Sequence, residues 1–392
     1  MRQRAGLRLL LGQRLNNLIS LTRLMEFEDL VQRYDKSRMV DLILSSPLEF
    51  EEYFEKYGEV SLPPSVAGVR MPGEWKSIVV LGMGGSAIVG DILRSYLLDR
   101  VDVPVEVVRD MRIPAHVGEG ALLIAVSYSG NTMETLKAAM EGVRRGAYLV
   151  AVTSGGMLGQ LAAKVGAAIY ELPSGRPSRT ALPPMLAAIL RIVEAAGLAE
   201  PVNAREAAAK AREVVEEIRG DPLGSRPARI AAELDGKVPL VYSYQPYSPL
   251  GLRLKTQINE NAKYHAFYAE LPEADHNEVM GWEGGLAAPY HAVFVRGSKE
   301  PEELTVIIDY WREILGERGV RASELRSSGG GRLSEYLELM VLVDFTSYVL
   351  ALMRGVDPTP VVTISRMKKV LEDRLHVSVH LRREMEELLS RH

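Results

Sequence analysis

Short uninterrupted apolar runs recur along this chain from residue 77 onward, each followed by a turn of small or hydroxylated residues and then by a stretch with helical spacing. Ser77 to Leu81, Pro104 to Val108, Leu122 to Val126, Tyr148 to Val152 and Ala167 to Leu172 lack the alternation of a strand with one wet face, so they read as buried strands. Ala87 to Leu98, the stretch from Met133, and Pro183 to Ala196 read as the intervening helices. A second series follows, with strands at Val238 to Tyr242, His265 to Leu271, His291 to Val295 and Val320 to Leu325, and helices at Pro249 to Tyr264 and Pro301 to Leu315. Strand–turn–helix at this spacing predicts an α/β fold of mainly parallel sheets flanked by helices on both faces, with ligands at the carboxyl ends of the strands. The two series share one order of elements, which predicts two similar domains.

The pattern places a helical extension at 25–75, a first domain at 76–200, a second at 201–375 and a tail at 376–392. Ala204 to Arg219, rich in Ala, Glu and Lys, reads as a solvated linking helix. Leu333 to Arg354 is a long apolar helix; its most apolar part, Met340 to Met353, is interrupted by Asp344 and is shorter than the ~20 residues of a membrane span, so it reads as core. Residues 1–24 form a basic arm, with Arg2, Arg4, Arg8, Arg14 and Arg23 and no acid before Glu26. The arm resembles a transit peptide in composition, yet Leu9-Leu10-Leu11 is too short for a secretory apolar region and Met25 looks like an ordinary start. The expectation is a dispensable arm or an over-extended start.

Composition removes several classes of function. A formal net charge of −4 gives no reason to expect a nucleic acid or an anionic membrane as partner. The absence of cysteine excludes disulfides and thiolate chemistry and fits a cytoplasmic protein. Seven histidines, scattered along the chain, give no reason to expect a metal.

The candidate chemistry begins at Ser127-Tyr128-Ser129-Gly130-Asn131-Thr132, between a strand and a helix. Uncapped N–H groups at a helix start, three hydroxyls and a glycine suit a compact anion, most naturally phosphate. The alternative is an ordinary cap, since Asn131 and Glu134 have capping-box spacing. Gly82-Met83-Gly84-Gly85-Ser86 follows a neighbouring strand. As a dinucleotide fingerprint it has Ala87 in place of a third glycine, and Asp110 lies 28 residues past Gly82 instead of about 20. Contact of Gly85 and Ser86 with the same ligand is the better reading. Arg176 and Arg179 precede a helix, where a guanidinium can hold an oxyanion that forms during reaction; Arg179, nearer the helix, is preferred. Glu260, between Asn259 and Asn261 on a helix, suits a general base, and His276 in a polar loop suits a proton shuttle.

The glycine turn with the Ser127–Thr132 loop resembles the sugar isomerase (SIS) domain. With Asn259-Glu260-Asn261 and His276-Asn277-Glu278 added, the chain from about Met25 is similar to the archaeal bifunctional phosphoglucose/phosphomannose isomerases. The resemblance implies two SIS-type domains, a homodimer with active sites near its interface, and isomerisation of glucose 6-phosphate and mannose 6-phosphate with fructose 6-phosphate through a cis-enediol, without cofactor or metal. It further implies that Ser127, Ser129 and Thr132 hold the phosphate and that Gly85 and Ser86 line the sugar. Glu260 would move the proton, Arg179 steady the enediolate, and His276 of the partner subunit assist ring opening. The family also uses a C-terminal threonine and lysine, for which Thr359 and Lys368 are the nearest matches and Thr363 and Lys369 the alternatives. Competing readings are a sugar-phosphate-sensing SIS regulator and an amino-sugar phosphate isomerase.

Overall fold

The computed structural model describes residues 22–285 and 288–390, so the expected basic arm lies outside it except for residues 22–24, which are helical together with 25–34. The chain forms two compact units. One comprises residues 46–208 and 361–392; the other comprises residues up to 45 and 209–360.

The first unit holds five parallel strands, β1 (Ser77–Leu81), β2 (Val105–Val108), β3 (Ala121–Val126), β4 (Tyr148–Thr153) and β5 (Ala168–Glu171), in the order β2-β1-β3-β4-β5. Every residue of β1, β3 and β4 is buried, which is why these strands appear as unbroken apolar runs. The helices are α1 (Gly85–Leu97), α2 (Met133–Arg144), α3 (Gly156–Val165) and α4 (Leu182–Ala195). Gly90 lets α1 lie directly on the sheet, since a Cβ there would come within 2.9 Å of Val80. The sequence pattern does not predict α3, whose first turns carry Gly155, Gly156 and Gly159, residues that weaken any helical signal. Helix Ser46–Tyr57 packs on α4, with the Tyr57 and Tyr170 rings 5.3 Å apart. The expected tail includes a helix, Val377–Leu389, that covers α2 and α3.

The second unit holds β6 (Val238–Tyr244), β7 (Phe267–Leu271), β8 (Tyr290–Arg296) and β9 (Arg321–Arg326), all parallel, in the order β7-β6-β8-β9. Its helices include α5 (Ser248–Asn261), α6 (Glu302–Glu317) and α7 (Arg332–Met353). Helix α7 is long and apolar enough to cross a membrane, yet residues 333–352 are all buried inside the protein. A helix buried on all sides forms the core of its domain, and α5, Ala209–Gly220 and Arg226–Leu234 pack around this one. Ala209–Gly220 buries Ala211, Val214, Val215 and Ile218, so the stretch expected to be solvated has one packed face. Its neighbour Arg226–Leu234 goes unpredicted because Pro227, which reads as punctuation, occupies the first turn.

Neighbouring elements engage several of the polar residues of α7. Asp344 accepts two bonds from the Arg253 guanidinium, at 2.7 and 2.6 Å, and one from the Gln257 amide at 3.0 Å; Ser347 Oγ accepts from Asn261 at 2.9 Å. Arg253, Gln257 and Asn261 are spaced four apart, so they form one stripe along α5. Removing one partner of a buried ion pair strands the other charge. Asp344→Ala is therefore expected to lower stability by about 3–5 kcal/mol, read as a fall in the urea midpoint; an unchanged midpoint would show that Arg253 finds solvent without its partner.

Candidate functional site

At the carboxyl end of β3 the chain turns sharply at Gly130, whose φ is +64°. A Cβ at Gly130 would lie 1.8 Å from the Gly155 carbonyl oxygen, so only glycine fits. The turn is locked to the loop after β4: Leu158 N–H donates to Gly130 O at 2.9 Å, Met157 N–H to Asn131 Oδ1 at 3.1 Å, and Ser154 Oγ to Tyr128 O at 2.6 Å. Asn131 is thus occupied across the loop. The residue flanking α2 is Thr132, and it makes no side-chain cap. The capping-box alternative is not what the loop adopts. Instead Ser127 Oγ, buried at the strand end, donates to Thr132 Oγ1 at 3.0 Å, and Ser129 Oγ accepts from Asn131 N–H at 3.3 Å. Hydroxyls and first-turn N–H groups converge at one helix start, the arrangement that favours an oxyanion.

The glycine turn follows β1, the strand beside β3, and the strand order reverses direction between these two. Such a switch point is where open α/β sheets take ligands. Gly84 has φ +54° and Gly82 lies against the Ser86 backbone, where a Cβ would approach to 2.8 Å. Ser86 is buried, and a Cβ at Gly85 would meet Arg179 Cα at 3.7 Å. The turn and Arg179 are therefore neighbours.

The two arginines of the loop after β5 separate clearly. Arg176 Nη1 pairs with Glu49 Oε1 at 2.5 Å, with both side chains largely buried. Burial lifts the Glu49 carboxyl above the ordinary range even with this guanidinium beside it. Arg176 N–H also donates to the Tyr128 hydroxyl at 3.2 Å, tying its loop to the hydroxyl loop. Arg179 is buried in the short helical turn Ser178–Ala181 that leads into α4. The roles of Glu49 and Tyr128 lie in long-range pairs, so no local pattern points to them.

In the second unit, Glu260 occupies the last turn of α5 and is half-buried. Lys263, with φ +51°, reaches back so that its Nζ donates to Glu260 O at 2.7 Å and to Pro358 O at 2.9 Å. This brings the end of α5 to the Pro358–Thr359 segment, where Thr359 N–H donates to Asp357 Oδ1 at 2.9 Å. His276 is exposed at the end of the turn Glu273–His276. The preceding Asp275 accepts a bond from the indole N–H of the buried Trp311, which fixes that turn against α6. Thr363, Lys368 and Lys369 lie exposed on helix Val362–Leu375, a helix with no buried residue. Among the described residues no group of three His, Asp or Glu side chains could hold a metal ion.

Residues 73–190 match the SIS domain family, and residues 225–371 match the family described as bacterial phospho-glucose isomerase C-terminal SIS domain. A bifunctional phosphoglucose/phosphomannose isomerase from Aquifex aeolicus is 34% identical over 300 residues, covering 76% of this chain and 91% of that protein. A D-glucosamine-6-phosphate 4-epimerase from Sulfolobus acidocaldarius is 31% identical over 264 residues, 66% of this chain and 80% of that protein. Among solved structures, a hypothetical protein from Thermus thermophilus shares the fold with a TM-score of 0.67 and 18% identity, over 93% of this chain and 96% of that one.

The packing of Gly130 on Gly155 yields a comparison between two glycines. Gly175 also has positive φ (+81°), but a Cβ added there would meet nothing within 4 Å. Gly175→Ala is expected to carry only a backbone penalty of about 1 kcal/mol, and Gly130→Ala a clearly larger one of about 3 kcal/mol or more. Thermal denaturation reads the difference, and equal losses would show that the two loops are not locked together.

Proposed function

The chain belongs to the bifunctional phosphoglucose/phosphomannose isomerase family of SIS-domain proteins, and on that premise we propose how its residues divide the work of an aldose–ketose isomerase. The substrates are hexose 6-phosphates: glucose 6-phosphate and mannose 6-phosphate are interconverted with fructose 6-phosphate. Ser127, Ser129 and Thr132 hold the phosphate, and Gly85 and Ser86 line the sugar. The observation that carries this reading is the uncapped, hydroxyl-lined start of α2 at the switch point of its sheet.

Glu260 is the base that takes the proton from C2 of the open-chain aldose and returns it to C1, while the hydroxyl proton on O2 passes to O1 so that C2 becomes the carbonyl carbon. The pair of electrons left on C2 moves toward the carbonyl oxygen, giving a cis-enediolate, and the Arg179 guanidinium steadies the negative charge that develops there. Glucose and mannose phosphates differ only at C2 and so give the same enediol, which lets one base serve both. Phosphate binding supplies the energy that aligns the reacting carbons. Lys263, by joining the end of α5 to the Pro358–Thr359 segment, supports Thr359 as the C-terminal threonine of the family, and Lys368 is the nearest match for its lysine. The working protein is a cytoplasmic homodimer in which His276 of the partner subunit assists ring opening. Phosphate capture belongs to the 76–200 domain and proton transfer to the 201–375 domain.

The relative named as a 4-epimerase keeps amino-sugar chemistry in view as a second reading. Supplying fructose 6-phosphate in the presence of EDTA and separating the products tests both: glucose and mannose 6-phosphates are expected, and turnover confined to glucosamine 6-phosphate would overturn the assignment. Glu260→Gln is expected to lose about 10²–10⁴-fold in kcat while fructose 6-phosphate still raises its melting temperature; near-normal turnover removes Glu260 as base. Mixing inactive Glu260→Gln and His276→Asn homodimers is expected to restore activity as subunits exchange, and no recovery in exchanged dimers would place both residues in one chain.

A further inference from the structure

The loop after β8, residues 297–301, stands in the order β7-β6-β8-β9 where the Ser127–Thr132 loop stands in β2-β1-β3-β4. Each follows the strand next to the switch point and leads into a helix, here α6. The second loop lacks the hydroxyl–glycine pattern, and its donors face carboxylates of the protein itself. Glu300, with its side chain 1% exposed, accepts from Arg296 Nε at 3.2 Å and from Arg296 Nη2. It also accepts from the Tyr244 hydroxyl at 2.6 Å and from Thr305 Oγ1 at 2.9 Å, and Arg326 Nη2 lies 3.7 Å away. Two of the loop's own N–H groups are also spent within the protein. Gly297 N–H donates to the Tyr244 hydroxyl at 3.1 Å, and Ser298 donates to Glu335 through its N–H, at 3.3 Å, and through its hydroxyl.

Burial would raise the Glu300 carboxyl, but the bonds from Arg296, Tyr244 and Thr305 outweigh it and hold the group below the ordinary carboxylate range, so it stays ionised at neutral pH. Two guanidinium groups, a phenol and a threonine hydroxyl around one desolvated anion form the donor set that suits a phosphate monoester. Gly297 has no space for a side chain, since a Cβ would strike the Tyr247 ring at 2.1 Å, so the loop is packed tightly on that side. The arrangement goes beyond ordinary pairing on the surface, where a single cation would suffice.

We propose that the second domain is built around an oxyanion site of the same kind as the first, and that the Glu300 carboxylate fills it permanently, which confines sugar phosphates to the Ser127–Thr132 loop. The internal anion does by covalent tethering what a bound phosphate would do by affinity, and it keeps Arg296 neutralised between Glu300 and Glu324, the latter 2.9 Å from Nη1. This inference concerns the C-terminal sheet and is independent of the roles given to Glu260 and His276.

The test uses the full chain and inorganic phosphate as the probe, against chloride at matched ionic strength. Glu300→Ala is expected to melt below the wild type in chloride. Saturating phosphate should then raise its midpoint by about 5 °C more than it raises the wild type's. Adding Arg296→Met to Glu300→Ala should abolish the extra shift. Calorimetry should count one phosphate per wild-type chain and two per Glu300→Ala chain. Should Glu300→Ala be insoluble in chloride, refolding yield in phosphate against chloride is read instead, and a several-fold higher yield in phosphate is expected. An equal phosphate response in variant and wild type, or equal refolding yields, overturns the proposal and leaves Glu300 as an ion-pair partner of Arg296 alone. All of these readouts are independent of catalysis, so such a failure leaves the isomerase assignment standing.

Discussion

Asp344 lies in the middle of a helix buried along nearly its whole length, where Arg253 and Gln257 hydrogen-bond its carboxyl group. The requirement acts in both directions. Arg253 is buried as well, so rotating or sliding α5 along α7 would part the two ions. Asn261 and Ser347 repeat the constraint one turn further on. The polar stripe therefore sets the rotation of α5 about its own axis. Glu260, beside Asn261, inherits its direction from that stripe, and Lys263 then fixes the helix end to the Pro358–Thr359 segment. A loosely packed apolar contact would hold α5 near α7 but would not choose one rotation.

The two sheets solve the problem of an uncapped helix after the central strand in opposite ways. In the first, glycines with positive φ bring backbone against backbone at Gly130 and Gly155, and small hydroxyls line the result. In the second, long side chains close over the same position and satisfy one another. The first solution requires residues with little bulk, the second residues with complementary charge, and both are visible only when the loops are compared by their place in the sheet order.

The strand series was legible because β1, β3 and β4 are buried along their whole length, which makes their sequence continuous in character. The Ser127–Thr132 loop was legible because its whole signal lies within six residues. What a local pattern cannot carry is a pair. The sequence prefers Arg179 over Arg176 only by its nearness to the helix, whereas the partner that engages Arg176, Glu49, lies more than a hundred positions earlier. Asp344 reads as an interruption of an apolar run until Arg253 is found beside it. The helices Gly156–Val165 and Arg226–Leu234 escaped for a different reason: glycine and proline at their starts serve tight packing and the first turn, and in isolation those residues signal loops.

The units are interleaved along the chain: residues 361–392 belong with 46–208, and the helical residues before 46 belong with 209–360. Helix Val377–Leu389 lies over α2 and α3, so the sheet that precedes it by some two hundred residues acquires its cover last. On a ribosome, the N-terminal sheet would emerge with two of its helices still bare, and it would stay in that state until some two hundred further residues had been made. Neither unit is an autonomous stretch of the gene; a cut between them in sequence would leave both halves unfinished.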